Sequence, residues 1–452
     1  MIDLLASKET PNALERKAIF LIVDGLHNIS GIYGESELFW ILTQFGDLAQ
    51  LGFILVCGTS TISGPIDKLL LGSRRRRISL PCSPLKPPTM NEQPVFKIES
   101  TVQKVLVDDC GGHGRALELL IDVFPTVPAD IGPEVKSLVA QKLEILYRGA
   151  LPEESDGIAI IKAVLANRRL KRHGHIPGTQ VTPDEVCQNG LLRFESDRPG
   201  HERAGGYFKI PYIWLLALCI TYQGNQFFEE LQLLDYRDFS SKENPTMPGG
   251  FSWSDFEKLM IKIRKIKSRV FDDGERVAMK DVHKGAMMHS DTEHVCFINR
   301  HLDDDIAMHR IETKTTSSNE CTWKVATECS RRVNLRTHRY IVQNAAGAPA
   351  GDSVLSLDGF PPRTESQQYK KVQKGRLNFN EERAKAAGVN DVFVLFCTSS
   401  IRSLCNDGKY VVPPGCILVV EENWEKYFGP YAGRSYLFAR EVVRKPKFDE
   451  LD

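Results

Sequence analysis

The sequence predicts a multidomain α/β protein, and three observations carry that expectation. Two continuous apolar runs in the first sixty residues end in polar residues. A polar proline- and glycine-rich stretch interrupts the chain near its middle, and strand-like segments beyond it are joined by a polar hairpin. The first two runs are residues 18–23 (AIFLIV, followed by Asp24 and Gly25) and 52–56 (GFILV, followed by Cys57, Gly58 and Thr59). Fully apolar strands with polar carboxyl ends suit a parallel sheet covered on both faces. Between them, Leu38, Ile41, Leu42, Phe45 and Leu48 recur at helical spacing over Glu35 to Ala49, giving a strand–helix–strand crossover.

Past the proline-rich stretch 80–88, a helix is expected over 114–123, opened by DDCGGHG. Helical patterns follow at 131–148 and 156–169. TPDEV then marks a helix start with Thr182 as N-cap and Pro183 in the first turn. GLLRFE and GYFKIP, flanking DRPGHERAG, predict a two-stranded hairpin, so 131–240 reads as a helical, winged-helix-like region. Such a region either contacts DNA or packs against a neighbouring core. The stretch 240–250, SSKENPTMPGG, marks a boundary. Beyond it a helix is expected from 254 to about 271, then strands at 333–342, 353–357, 391–396 and 415–420, and a helix in EENWEKYFG. The expected division is 1–130, 131–240 and 250–452.

At 452 residues, 42% hydrophobic, the chain can bury several cores. Its 58 basic and 58 acidic side chains balance, so any attraction to nucleic acid must come from local patches. SRRRR (73–77), RRLKRH (168–173) and KIRKIKSR (262–269) are the candidates, each readable as a phosphate-binding surface, an import signal or a solvated face. Eleven cysteines with no C-x-x-C pair exclude a zinc module and a disulfide scaffold, leaving reduced, core-filling thiols. No apolar stretch reaches the roughly 20 residues a bilayer-spanning helix needs. The first residues lack the pattern of a secretory signal, which implies an intracellular protein.

Two constellations carry chemistry. FLIVDG has the form of a Walker B strand, with Asp24 as the candidate Mg²⁺-nucleotide ligand. Its partner, G-x-x-x-x-G-K-[ST], whose amides cradle phosphate, occurs nowhere, and only 17 residues precede Ala18. ATP hydrolysis by this chain is therefore not expected, and Asp24 reads equally as a strand-ending turn former. In the carboxyl-terminal part, Asp352 is followed after 15 intervening residues by Gln368, Tyr369 and Lys370. An aspartate on one strand and a ligand two positions before a lysine on the next form the core of metal-dependent nucleases. Residues two apart share one face of a strand. Asp352, the Gln368 amide oxygen and the main-chain carbonyl of Tyr369 offer hard oxygens to Mg²⁺, while Lys370 orients or deprotonates a water. Glu257, in WSDFEKL, is the fourth candidate, contacting metal-bound water. Against this stands the plainer reading of a turn aspartate and a solvated QQYKK, since PPRTESQQYKK is polar for a buried strand; in another register Glu365 replaces Gln368.

The order FLIVDG, GFILVCGTSTISG, RRISLPCSPLKPP and CGGHGRALELL resembles the later part of the signal-transduction (STAND-type) P-loop NTPase domain of Crinkler effectors and of the related retrotransposon hot spot proteins of trypanosomatids. WSDFEKL, NAAGAPAGDS, QQYKK and YFGPYAGRSYLF resemble their nuclease-like domain of the PD-(D/E)XK, restriction-endonuclease-like class. The resemblance covers about four fifths of the chain and lies in the order of motifs more than in any one of them. It implies an effector-type protein acting on DNA in the nucleus of a host cell, with possible host or nuclear protein partners, in which an NTPase module controls a Mg²⁺-dependent nuclease. The phosphate loop and the ubiquitin-like leader of the family are missing, which implies an amino-terminal truncation. Glutamine replaces the acidic ligand, and one fewer carboxylate weakens the attraction for a divalent ion. A decayed fold that binds DNA or protein without catalysis is the alternative.

Overall fold

The computed structural model describes residues 19–23, 37–50, 54–58, 89–90, 93–94, 101–124, 132–147, 151–188, 192–197, 205–231, 253–302, 307–309, 311–317, 320–325, 332–334, 341–344, 351–358, 363–370, 377–388, 390–406, 409–432 and 435. It is a mixed α/β structure with several sheets.

The crossover at the start is there. Strand β1 (Ile19–Val23), helix α1 (Glu37–Ala49) and strand β2 (Ile54–Gly58) follow in order, and the strands pair in parallel with Phe20 opposite Leu55. Cover on both faces is not there among the described residues: Ile54 is buried, but Phe20, Ile22 and Leu55 are 67%, 66% and 51% exposed. Two strands and one helix can shield only one side of a ribbon.

A helical region follows, with α2 (Thr101–Asp109), α3 (Gly114–Val123), α4 (Gly132–Tyr147) and α5 (Glu154–Leu165). His113 caps α3 by accepting from the amide of Ala116, so GGHG ends one helix and starts the next. After the short strand β3 (Leu170–Lys171), helix α6 (Pro183–Gln188) begins as expected. The Thr182 hydroxyl accepts from the Glu185 amide, and Glu185 reaches back to the Thr182 amide at 2.7 Å, closing a capping box. Strands β4 (Arg193–Ser196) and β5 (Gly205–Lys209) form the expected hairpin, with β3 on the other edge of β5. A Cβ at Gly206 would lie 2.2 Å from the carbonyl oxygen of Glu195, so this close pairing requires glycine. Helix α7 (Tyr212–Thr221) is apolar all round and buried from Tyr212 to Cys219. It packs on α4, where Trp214 meets His113 and Tyr147 edge-on at 5.3 and 4.8 Å. Helix α8 (Gln226–Leu231) follows.

The carboxyl-terminal part opens with α9 (Trp253–Arg269). Its large sheet is built from β6 (Met287–Met288), β7 (Ala307–His309), β8 (Val342–Asn344), β9 (Ser353–Leu357), β10 (Arg363–Lys370), β11 (Val392–Cys397) and β12 (Cys416–Val419). Helix α10 (Phe379–Ala386) lies between β10 and β11, and α11 (Trp424–Phe428) follows β12. The spatial order is β7-β8-β9-β10-β11-β12-β6. Strands β8, β9 and β10 are an antiparallel meander, while β10, β11 and β12 run parallel. The parallel part needs crossovers, and α10 provides the first.

Both faces of this sheet are covered. On one, Leu355, Leu357, Val394, Phe396, Ile417 and Val419 join Phe256, Leu259 and Ile263 of α9 in the main core. On the other, Phe393, Leu395, Cys397 and Leu418 pack with Phe379 and Ala386 of α10. The main core also includes α3, α5 and α7, and the Arg269–Glu230 ion pair at 2.6 Å and the Tyr212–Tyr431 ring contact bridge the helical region and the sheet. The eight described cysteines are all unpaired; Cys110, Cys219, Cys397 and Cys416 are buried, and Cys57, Cys296 and Cys405 are exposed. Among the described residues no helix is long and apolar enough to cross a membrane.

Candidate functional site

Asp352 stands one residue before β9. The ladder pairs Ser353 with Gln367, and continuing that register places Asp352 opposite Gln368. Side chains alternate along a strand, so Asp352, Gln368 and Lys370 share the face covered by α10. Asp352 is 6% exposed, and its Oδ2 accepts from the main-chain amide of Tyr369 at 2.8 Å. Gln368 is 4% exposed, and among the described residues its Oε1 has no hydrogen-bond partner. A buried amide oxygen left unpaired costs about 1–3 kcal/mol, so it needs either a reason or a ligand. Lys370, at the strand end, is partly exposed and ion-paired with Glu382 of α10 at 3.0 Å.

Glu257 does not join this group. It is buried on α9, where it accepts from Gln343 Nε2 at 3.0 Å. Gln343 pairs with Ser353, whose hydroxyl meets Gln367 and Tyr369, so Glu257 belongs to the opposite face of the sheet.

That opposite face is a continuous buried polar network. Glu365 receives Arg264 through both oxygens at 2.9–3.0 Å. Gln367 Nε2 donates to Glu365 at 2.6 Å, and the Tyr369 hydroxyl donates to Gln367 Oε1 at 2.5 Å. His283 sits 3.3 Å from Glu365 through Nε2 and 3.0 Å from the Tyr427 hydroxyl through Nδ1. Lys267 donates to the Tyr427 carbonyl at 3.2 Å, with its ammonium 3.5 Å from the centre of that ring. Burial raises the Glu365 carboxyl, but Arg264 and His283 more than offset it and hold it well below the usual carboxylate range. Burial pushes His283 below its ordinary value, with Glu365 opposing. Burial also pushes the Lys267 ammonium down to about 7, helped by Arg264.

These placements bear on the sequence expectations. PPRTESQQYKK does contain a buried strand, because Glu365, Gln367 and Tyr369 find partners on α9 and β9. Glu365 is engaged by Arg264 on the far face, so in this register Gln368 is the residue opposite Asp352. KIRKIKSR is not a basic surface: Arg264 and Lys267 are buried and Arg269 is ion-paired with Glu230. Helical periodicity turns alternate cations of a charged run toward the sheet. RRLKRH is exposed apart from Leu170, with Arg169 held by Asp197 and Arg172 by Asp184. Asp24 and SRRRR lie outside the described residues. Arg264, His283 and Glu382 were not anticipated. A motif search sees residues close in sequence, and these three arrive from three other elements.

Among the described residues, no three His, Cys, Asp or Glu side chains gather as a metal site. The donors at Asp352 and Gln368 are hard oxygens, the kind Mg²⁺ takes, and the orphaned Oε1 is the observation that fits such an ion.

The chain is a distant homologue of Crinkler effector protein 108 of Phytophthora sojae, 26% identical over 459 aligned positions that cover 96% of this chain and 52% of that protein. The likeness drawn from motif order is thus borne out, and the chain spans about half the length of the relative it matches. No family model matches, and no solved structure does.

Proposed function

We propose that this distant homologue of a Crinkler effector is itself an effector-type protein whose carboxyl-terminal sheet is a PD-(D/E)XK nuclease-like domain cutting DNA phosphodiester bonds with Mg²⁺. What supports the reading is the register that sets Asp352 opposite Gln368, with Lys370 two residues along on the same face. The order helix α9, meander β8-β9-β10, crossover α10 and parallel β11 is compatible with that class of domain. The segment β3-α6-β4-β5 fits a winged-helix-like unit, with β5 lying against helix α5.

In this reading Asp352 and the Gln368 amide would hold the ion, and Mg²⁺ bound there would offset the charge developing on the phosphoryl oxygens. Lys370, at the rim and partly exposed, orients the attacking water and takes or returns its proton. Glu257, on the other face, acts only through Gln343 and the strands, as a positioning residue. Residues 1–130 are a partial NTPase module that regulates without hydrolysing ATP, and the place of action is the nucleus of a host cell. A Mg²⁺-dependent nicking assay on supercoiled DNA tests the reading. Activity lost in Asp352→Ala and in Lys370→Ala supports it; wild-type protein that retains DNA without cutting overturns it.

The second reading, a non-catalytic DNA- or protein-binding fold, is favoured by two observations. Lys370 is tied to Glu382, and among the described residues no three His, Cys, Asp or Glu side chains gather as a metal site.

A further inference from the structure

Asp352, Gln368 and Lys370 together carry no net charge, because one carboxylate is balanced by one ammonium. A divalent cation approaching them meets no Coulomb attraction. Glu382 changes that balance. It projects from α10 onto the same sheet face, its side chain is 13% exposed, and its Oε2 lies 3.0 Å from Lys370 Nζ. Its other oxygen is 3.5 Å from Lys385, a side chain 55% exposed whose charge water screens. One helical turn further on, Ala386 lies against Gly351: a Cβ added there would sit 3.1 Å from the Ala386 Cβ. Helix α10 therefore rides over the Asp352 end of β9, with Glu382 and Ala386 on one helical face. On the same sheet face the Oε1 of Gln368 is buried without a hydrogen-bond partner among the described residues, a second sign of a missing ligand.

We propose that Glu382 is the second carboxylate of this cation site, supplying from helix α10 the negative charge that an acidic residue at position 368 would supply from β10. The inference rests on the reading of Asp352 and Gln368 as cation ligands. Glu382 holds Lys370 in an ion pair here; a bound cation would compete for the Glu382 carboxylate and release Lys370 to act on water.

Binding of Mn²⁺ to the full chain, followed by calorimetry and by the electron paramagnetic resonance of free Mn²⁺, tests this apart from cleavage. Glu382→Gln is expected to weaken Mn²⁺ binding roughly 10- to 100-fold, as ligand-supporting residues do. Gln368→Glu in the Glu382→Gln background is expected to restore it. Should Glu382→Gln melt below the assay temperature, Glu382→Asp keeps the charge with a shorter reach and is expected to retain most of the affinity. Unchanged affinity in Glu382→Gln beside lost affinity in Asp352→Asn overturns the role of Glu382 and leaves the site standing. Wild-type protein that binds no Mn²⁺ overturns both.

Discussion

The two faces of strand β10 differ in how completely their polar groups are paired. Toward α9, Glu365, Gln367 and Tyr369 are bonded to Arg264, Ser353 and one another. Toward α10, Ser366 Oγ and Gln368 Oε1 are buried without hydrogen-bond partners, and Lys370 reaches the rim. Toward α9 the strand's own side chains are all paired, which rigidifies and positions them, although Arg264 Nη1 beside them is buried without a hydrogen-bond partner among the described residues. An unpaired buried group costs stability, and a ligand that is to arrive is one reason a protein keeps it. The α9 face is thus the structural face of the strand and the α10 face the working one.

The largest effects should separate these faces. Asp352→Ala is expected to lower DNA cleavage by more than about 100-fold, in the range typical for removal of a ligand or proton-transfer group, with a change of only about 1 kcal/mol in urea unfolding. Arg264→Leu should do the reverse. It leaves the Glu365 carboxylate buried beside His283 without its main partner, and a broken buried pair costs about 3–5 kcal/mol. Urea titration of both variants reads this directly. Equal losses of stability would erase the distinction between the faces.

How much of this was legible in the sequence follows from where each signal lives. Strand β9, the α9 helix and the Thr182 cap are local, written in alternation, periodicity and capping chemistry, and they fall within a few residues of expectation. Strand β10 was legible only as a motif, because all of its eight residues but Tyr369 are polar or charged and its burial depends on a partner 101 residues away. The same distance hid the fate of KIRKIKSR. A run of cations resembles a surface until Glu365 and Tyr427 are seen on the other side. Glu382, fourteen residues past Gln368 and on a different element, carries no spacing that sequence alone could connect to Asp352.

A middle-sized effect is expected from pH, and it belongs to the α9 face. The Lys267 ammonium is pushed down to about 7 from its ordinary 10.5, so between those values the unfolded chain binds a proton that the native chain does not. Stability should therefore rise as pH climbs from about 7 to 10.5. His283, lowered from 6.5, acts in the same sense: below 6.5 the unfolded chain takes the proton first. Glu365, held below 4.5, contributes stability present above that value and lost as pH falls further. Melting temperature should rise from pH 5 to pH 9, and Lys267→Met should flatten the part above 7. A Lys267→Met profile as steep as wild type above pH 7 would show that the lysine is not the group titrating there.

A smaller effect tests a site away from both faces. Thr182→Ala removes the hydroxyl that accepts the Glu185 amide, which should destabilise the chain by about 1 kcal/mol without altering Mn²⁺ binding.

The smallest effect is the sharpest test of the comparison. Gln368→Leu removes an amide whose buried oxygen has no partner among the described residues, so one desolvation penalty disappears. Unfolding free energy should stay within about 0.5 kcal/mol of wild type or rise. The same substitution on the other face, Gln367→Leu, takes one hydrogen bond from each of Ser353, Tyr369 and Glu365 at once and should cost several-fold more. Adjacent residues on one strand, both glutamine and both buried, would then answer in opposite ways, and urea midpoints that moved together would mean that the α10 face is as structural as the α9 face.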